Sequence, residues 1–233
     1  MMINQQIILK SLNKDIFKKI SEASDDIGFD TYLVGGYVRD MCLKRPVKKD
    51  IDIMCIGSGI DLAQNFYERI RPKITPAKIN VFKRFGTAMI KFKNYDIEFV
   101  GARKESYSID SRKPSIEDGN FMDDISRRDF TINTLAIRLN KKHFGELVDT
   151  FDGINDIENG IIRTPRDPDK TFADDPLRML RAIRFSSQLD FLIDKKTQDS
   201  IVKNVDRIKI LSPERISDEV NKILMSNNPS KGF

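Results

Sequence analysis

The 233-residue chain contains one histidine, two cysteines and no tryptophan. A lone His143 argues against a Ser-His-Asp triad and against a histidine-rich metal site. Two thiols, Cys42 and Cys55, are too few for a four-thiolate zinc site or a disulfide framework, and they fit a reducing cytoplasm. No stretch approaches the ~18 consecutive apolar residues of a membrane helix. Near the N-terminus, Ile7-Ile8-Leu9 gives way to Lys10, too short for the apolar core of a signal peptide. There is no Gly-Lys pair, which excludes a Walker loop, and no Gly-x-Gly-x-x-Gly fingerprint. Internal repeats and low-complexity tracts are also missing. Any metal must therefore sit on carboxylates.

What is present describes a globular chain. Apolar residues make up 39% and charged residues 32%, a balance that excludes intrinsic disorder. A chain of this length forms one large domain or two small ones and buries roughly 70% of its unfolded surface. Forty basic against thirty-five acidic side chains leave +5, which permits a polyanionic partner without requiring one.

The periodicity changes along the chain. An amphipathic helix is predicted over Lys14–Ile27, then a strand at Tyr32–Val34 that breaks at Gly35-Gly36 into a short helix, Tyr37–Leu43. Ile51–Ile56 reads as a second strand, ended by Gly57-Ser58-Gly59, before a helix over Asp61–Arg71. Strands at Thr87–Phe92 and Asp96–Val100 flank Asn94-Tyr95, a tight-turn candidate. Residues Gly101–Asn120 lack periodicity and read as an exposed, mobile loop. Beyond Val148 the pattern is almost wholly helical. Asp174-Asp175-Pro176 and Ser212-Pro213 are helix start signals, the second helix running to about Met225. An α/β part at 1–152 and a helical part at 153–233 follow.

Asp50 and Asp52 stand i, i+2 on the second strand, so both carboxylates point to one face, about 7 Å apart at Cα. Like charges held that close repel unless a cation lies between them, and hard oxygen ligands suit Mg²⁺ shared with substrate phosphates. On its own, Asp-x-Asp reads as an exposed strand end. The upstream Leu33-Val34-Gly35-Gly36-Tyr37-Val38-Arg39-Asp40 adds a glycine pair at a helix start, where backbone N–H groups can approach phosphate. Arg39 adds a guanidinium able to fork onto it. Asp96 or Glu98, on one face of a later strand, could supply a third carboxylate; spacing does not choose between them. Asp175 and Arg178, three apart, share a helix face, as do Arg181 and Arg184 beyond them. A carboxylate beside a guanidinium offers the acceptors and donors needed to read a base edge. Locally, the same residues read as a capped helix with a solvated charge stripe. Phe151, Phe172, Phe185 and Phe191 read as core.

Leu33–Asp40 followed by Lys49-Asp50-Ile51-Asp52-Ile53 resembles the signature of class II CCA-adding enzymes and bacterial poly(A) polymerases, RNA nucleotidyltransferases of the polymerase-beta-like superfamily. The resemblance continues in Arg127-Arg128-Asp129-Phe130-Thr131-Ile132-Asn133, in Leu147-Val148-Asp149 with Phe151-Asp152-Gly153, in Asp174–Phe185 and in Ser212–Ile216. It covers roughly residues 31–225, in family order.

The resemblance implies a fold, an α/β (α+β) nucleotidyltransferase head with a mixed sheet and then an all-helical neck, with the nucleotide between them. It selects Glu98, five residues before Arg103, as the third carboxylate, and equates Gly101–Asn120 with a loop that moves during catalysis. It implies that two Mg²⁺ ions bind Asp50 and Asp52 and that Gly35, Gly36, Arg39, Arg127 and Arg128 hold phosphate or ribose. Asp175 with Arg178 would select CTP and ATP by their exocyclic amines, assisted by Arg181 and Arg184. The implied reaction adds CMP, CMP and AMP to tRNA 3′ ends, with poly(A) synthesis or partial CC- or A-addition as the alternative. A silent RNA- or nucleotide-binding module on the same fold would have no need of three clustered carboxylates. Family members are usually longer, with helical regions that grip tRNA and in some cases a phosphohydrolase domain. A chain stopping at Asn227–Phe233 is either a shortened piece or a naturally minimal form, expected to bind CTP and ATP but to hold tRNA weakly.

Overall fold

The computed structural model describes residues 5–47, 49–71, 79–106 and 115–232. The chain divides into two compact units, the first comprising residues 1–104, 116–125 and 133–150 and the second 105–115, 126–132 and 151–233.

The first unit opens with helices α1 (Gln5–Leu12) and α2 (Asp15–Ile27). Ile16, Phe17 and Ile20 form the buried stripe of α2, the i, i+1, i+4 spacing of a helix with one apolar face. It ends where Gly28 turns left-handed at φ 67°. Strand β1 (Thr31–Val34) leads through Gly35 to α3 (Gly36–Cys42), then β2 (Asp50–Cys55) and α4 (Gly59–Ile70) follow. Ser58 caps α4 by accepting from the Asp61 N–H. Next come β3 (Ile79–Phe82), β4 (Thr87–Phe92), β5 (Tyr95–Gly101), β6 (Arg103–Ser106), β7 (Ser115–Asp118), α5 (Phe121–Ser126), β8 (Ala136–Arg138) and β9 (Leu147–Val148).

Among the described residues, seven strands form one mixed sheet in the order β3-β4-β5-β2-β1-β8-β9. Only the β2–β5 pair is parallel, with Asp52 opposite Glu98 and Asp50 opposite Asp96; the other neighbours run antiparallel. Ile51, Ile53, Ile97 and Phe99 alternate with these carboxylates and are completely buried. Phe66 of α4 meets Phe92 and Phe99 at ring centroids of 5.9 and 5.4 Å. One face of the sheet is therefore core, and the acidic side chains are left to the other.

Gly59 explains the Gly-Ser-Gly string. A Cβ there would lie 2.7 Å from the backbone of Val100 and Gly101, so α4 can start against β5 only without a side chain.

Two expectations need correction here. The tight turn is Lys93-Asn94, not Asn94-Tyr95, because Tyr95 already pairs with Phe92 in the β4–β5 ladder. The stretch 101–120 is not simply a loop: β6 and β7 form a two-stranded ribbon, their intervening residues lying outside those described. β3, β8 and β9 had no clear sequence signal, being short; at the two edges β3 is exposed at three of its four residues and β9 is half-buried.

The second unit holds α6 (Gly153–Asn159), β10 (Ile161–Ile162), α7 (Pro168–Asp174), α8 (Leu177–Leu189), β11 (Leu192–Ile193), α9 (Lys195–Asn204) and α10 (Pro213–Leu224). It is helical apart from the parallel two-residue pair β10–β11. Asp174-Asp175-Pro176 both ends α7 and starts α8; the Asp175 carboxylate accepts from the Leu177 N–H. Among the described residues, no helix is long and apolar enough to cross a membrane.

Candidate active site

The sheet sets the acidic residues in one row. Alternation places Asp50 and Asp52 on the face opposite Ile51 and Ile53, and parallel pairing with β5 sets Glu98 directly beside Asp52. Asp50 is exposed, while Asp52 and Glu98 are half-buried. Burial, then the neighbouring Asp52 charge, pushes the Glu98 carboxyl above its ordinary range, partly countered by Arg103. Asp96 is different: its carboxylate faces Lys91 at 3.2 Å. Register sets both beside the acidic pair, Asp96 opposite Asp50 and Glu98 opposite Asp52; the ion pair with Lys91 is what distinguishes Asp96.

The glycine turn lies on the other flank. Val34 is the antiparallel partner of Asp52, so Gly35 follows directly at the end of that row. Gly35 adopts φ 75°, ψ −144°, a region essentially restricted to glycine. Arg39 is buried at 7% exposure. Its Nε and Nη2 donate to Asp40 at 2.9 and 2.7 Å, and Nη1 donates to Asn133 Oδ1 at 2.9 Å. The guanidinium braces the first turn of α3, and Asn133, not singled out in the sequence, is its partner. Its only signal was its place at the end of the motif Arg127–Asn133.

In the second unit, Arg127 and Arg128 are half-buried and lead into Asp129, which is buried. Arg181 donates to Asp129 through Nε at 2.8 Å and Nη2 at 2.5 Å. Arg184 lies 2.7 Å from Glu219 and 4.3 Å above the Phe185 ring. Glu219 is only 3% exposed, and a carboxylate that deeply buried requires a cation beside it. The local reading of a solvated stripe therefore does not hold: Arg181 and Arg184 are each ion-paired, with Asp129 and Glu219. Asp175 accepts from Arg215 at 3.1 Å, and the buried Arg178 donates to the Thr171 carbonyl at 3.3 Å. Arg178 lies in the first turn of α8, but Asp175 precedes the helix in extended backbone at φ −143°, ψ 104°. The two therefore do not share a helix face as the spacing predicted; Pro176 separates α7 from α8 between them. Asp129, Arg215 and Glu219 escaped singling out because their partners are 52, 40 and 35 residues distant in sequence.

Phe172, Phe185 and Phe191 are core, as expected, while Phe151 is half-exposed. Burial pushes both thiols up to about 12, assisted by Asp149 at Cys42 and Asp61 at Cys55.

Among the described residues, no group of three Asp, Glu, His or Cys side chains is disposed to hold an ion by itself. The donor set instead fits a hard divalent cation that takes one or two carboxylates and completes its shell with water and substrate phosphate, the habit of Mg²⁺. Asp50 and Asp52 are the residues that could hold it.

The sequence matches the family "Poly A polymerase head domain" over residues 31–163 and "Probable RNA and SrmB- binding site of polymerase A" over 190–233. It is 37% identical to a CCA-adding enzyme of Lactobacillus helveticus, over 94% of this chain and 53% of that protein. It is 32% identical to an A-adding tRNA nucleotidyltransferase of Halalkalibacterium halodurans, over 94% and 50%. The fold is similar to that of the Thermotoga maritima CCA-adding enzyme complexed with tRNA_CCA (TM-score 0.82, 32% identity, 97% of this chain and 51% of that one). The chain spans about half the length of the curated relatives it matches. With the head-domain match extending over more than half of its residues, on a mixed sheet that carries the acidic row beside a glycine turn, the chain belongs to the poly A polymerase head domain family.

Proposed function

We propose that this protein is a template-independent RNA nucleotidyltransferase that extends the 3′ end of tRNA with CMP, CMP and AMP taken from CTP and ATP. The observation that carries this reading is the row Gly35-after-Val34, Asp52 and Glu98 across three neighbouring strands, with Asp50 on the same face. A triphosphate needs neutralising charge, backbone N–H donors and a nucleophile held in line. That row supplies the protein's share of each.

In this reading Asp50 and Asp52 would hold two Mg²⁺ ions beside the triphosphate. Bound there, Mg²⁺ supplies a lower pKa for the attacking 3′-hydroxyl and neutralises charge on the departing pyrophosphate. Glu98, whose carboxyl has a raised proton affinity, accepts a hydrogen bond from the 3′-hydroxyl and orients it towards the α-phosphorus. Gly35 and Gly36 present backbone N–H groups to the triphosphate, and Arg39 keeps that turn in shape through Asp40 and Asn133. Arg127 and Arg128 bind ribose or phosphate. The head chemistry occupies residues 1–152, and residues 153–233 select the base.

Base choice falls to Asp175 and Arg178. A carboxylate accepts from the exocyclic amine that cytosine and adenine share and uracil lacks, while a guanidinium donates to ring nitrogen or carbonyl. Arg215 holds Asp175. Arg181 and Arg184, locked to Asp129 and Glu219, keep α8 in the orientation that presents the pair.

The A-adding relative favours one second reading, addition of AMP alone. A single assay separates the two. The protein is incubated with tRNA ending before CCA and, separately, with tRNA ending in CC, with Mg²⁺ and each labelled triphosphate singly and together, and product ends are sequenced. CCA ends support the first reading, A alone on a tRNA ending in CC the second. No incorporation by the native chain, or full incorporation by Asp50→Ala and Asp52→Ala, would overturn both.

A further inference from the structure

The face of the sheet that bears the carboxylates does not end at β5. Register runs Asp52 opposite Glu98, Glu98 opposite Met89 and Met89 opposite Asn80, so these four face one side. Phe82, two residues beyond Asn80, shares that side by strand alternation. Here the sheet reaches its β3 edge, two strand spacings or about 10 Å from the strand of Glu98.

This edge is unusual in composition. Phe82 is 43% exposed and Phe85 54%, and Val81 and Met89 are exposed as well. Such side chains clustered on a surface mark an interaction site more often than chance. Lys83 and Arg84 sit between the two phenylalanines on a single 3-10 turn, Lys83–Phe85, and both are exposed. The Arg84 guanidinium lies 6.0 Å from the Phe85 ring centre. From Ile79 to Lys93 the chain has four cations and no carboxylate. Aromatic faces alternating with cations are the composition that binds single-stranded nucleic acid, the rings stacking on bases and the cations tracking phosphates.

We infer that the β3–β4 edge is a platform for the single-stranded 3′ end of an RNA substrate, with Phe82 and Phe85 stacking on bases and Lys83 and Arg84 pairing with phosphates. Charge complementarity selects RNA over an apolar or basic partner, and shared facing with Glu98 puts the platform beside the reacting end. This rests on the proposed nucleotidyltransferase reading and extends it to a substrate contact outside the carboxylate row.

The test measures binding separately from catalysis. Anisotropy of a labelled 12-nucleotide single-stranded RNA is recorded with the whole chain, in EDTA and without triphosphate. Phe82→Ala with Phe85→Ala is expected to weaken binding about tenfold or more. Lys83→Gln with Arg84→Gln is expected to weaken it and to reduce the slope of log affinity against log salt by about 1.4, about 0.7 per cation. These side chains are exposed, so thermal unfolding of all variants should match the native chain. Native binding that is undetectable, or equal in the variants, overturns the inference. So does concentration-dependent self-association in sedimentation that the variants lose while RNA affinity is unchanged, since the edge would then join two copies. Weakened RNA binding in a chain that incorporates no nucleotide would sustain the platform and defeat the nucleotidyltransferase reading.

Discussion

At the scale of single residues, Glu98 shows how a site residue is set against its own fold. Its carboxyl is raised by burial and by the charge on Asp52, so the folded state favours the protonated form. The unfolded chain releases that proton at lower pH, and stability is therefore lost as pH rises through the folded value. Glu98→Gln removes the burden. It is expected to raise the melting temperature at pH 7, an advantage that shrinks as pH falls through the ordinary glutamate range near ~4.3. Incorporation should fall about 10²–10³-fold in the same variant. Calorimetry at the two pH values checks the first part and primer extension the second. A variant less stable at pH 7, or fully active, would remove Glu98 from the site.

The residue scale also marks where reading in sequence succeeds. Asp-x-Asp is visible because strand periodicity is local. That β5, with Asp96 and Glu98, lies beside it is not visible, since that depends on pairing between segments some 46 residues apart.

At the scale of elements, close approach and buried charge decide the packing. α4 lies on β5 at Gly59, where a Cβ would meet Val100 backbone at 2.7 Å. Backbone on both sides cannot give way as a side-chain end could. Gly59→Ala is expected to destabilise the fold by about 1–3 kcal/mol, read from the urea midpoint. An unchanged midpoint would mean that helix and strand are less tightly apposed.

In the second unit, α8 and α10 are joined through Arg184 and Glu219. Removing one partner strands a buried charge, so Glu219→Ala is expected to cost about 3–5 kcal/mol. Arg184→Met combined with Glu219→Leu should recover most of it, because an apolar pair of similar volume has no desolvation penalty. A double-mutant cycle by urea denaturation gives the answer. If Arg184→Met left stability untouched and abolished triphosphate binding, Arg184 would be a direct ligand and not a brace. Helix spacing put Arg181 and Arg184 on one face correctly; it could not reveal that the face is turned onto Asp129 and Glu219.

At the scale of the whole molecule, the two units raise the question of whether they unfold together. Both thiols belong to the first unit and are pushed up to about 12 by burial. At pH 8 about one in ten thousand would then be thiolate, against about a quarter for a free thiol near ~8.5. Iodoacetamide labelling of the folded protein is expected to be slower by several hundredfold or more, and to reach the free-thiol rate only when the first unit opens. Comparing labelling with far-ultraviolet circular dichroism along a urea titration separates one transition from two. Rapid native labelling at pH 8 would show that the thiols are not enclosed. The same raised values have a sign: folding stability declines as pH climbs past the unfolded thiol range near ~8.5, because only the unfolded chain can ionise there.

The comparison between sequence and structure divides along the range of the interactions. Helix caps, the Gly35-Gly36 break, the alternation of Asp50 and Asp52 with buried isoleucines and the change from mixed to helical pattern all follow from neighbours within a few residues. Those features the amino-acid sequence determined by itself. The pairing of Asp52 with Glu98, the bracing of Arg39 by Asn133, the inward turn of Arg181 and Arg184 and the open aromatic edge at β3 were decided only by tertiary structure. Each depends on which distant segment is hydrogen-bonded or packed alongside, a choice made by the collective burial of the core and written in no short stretch of the chain.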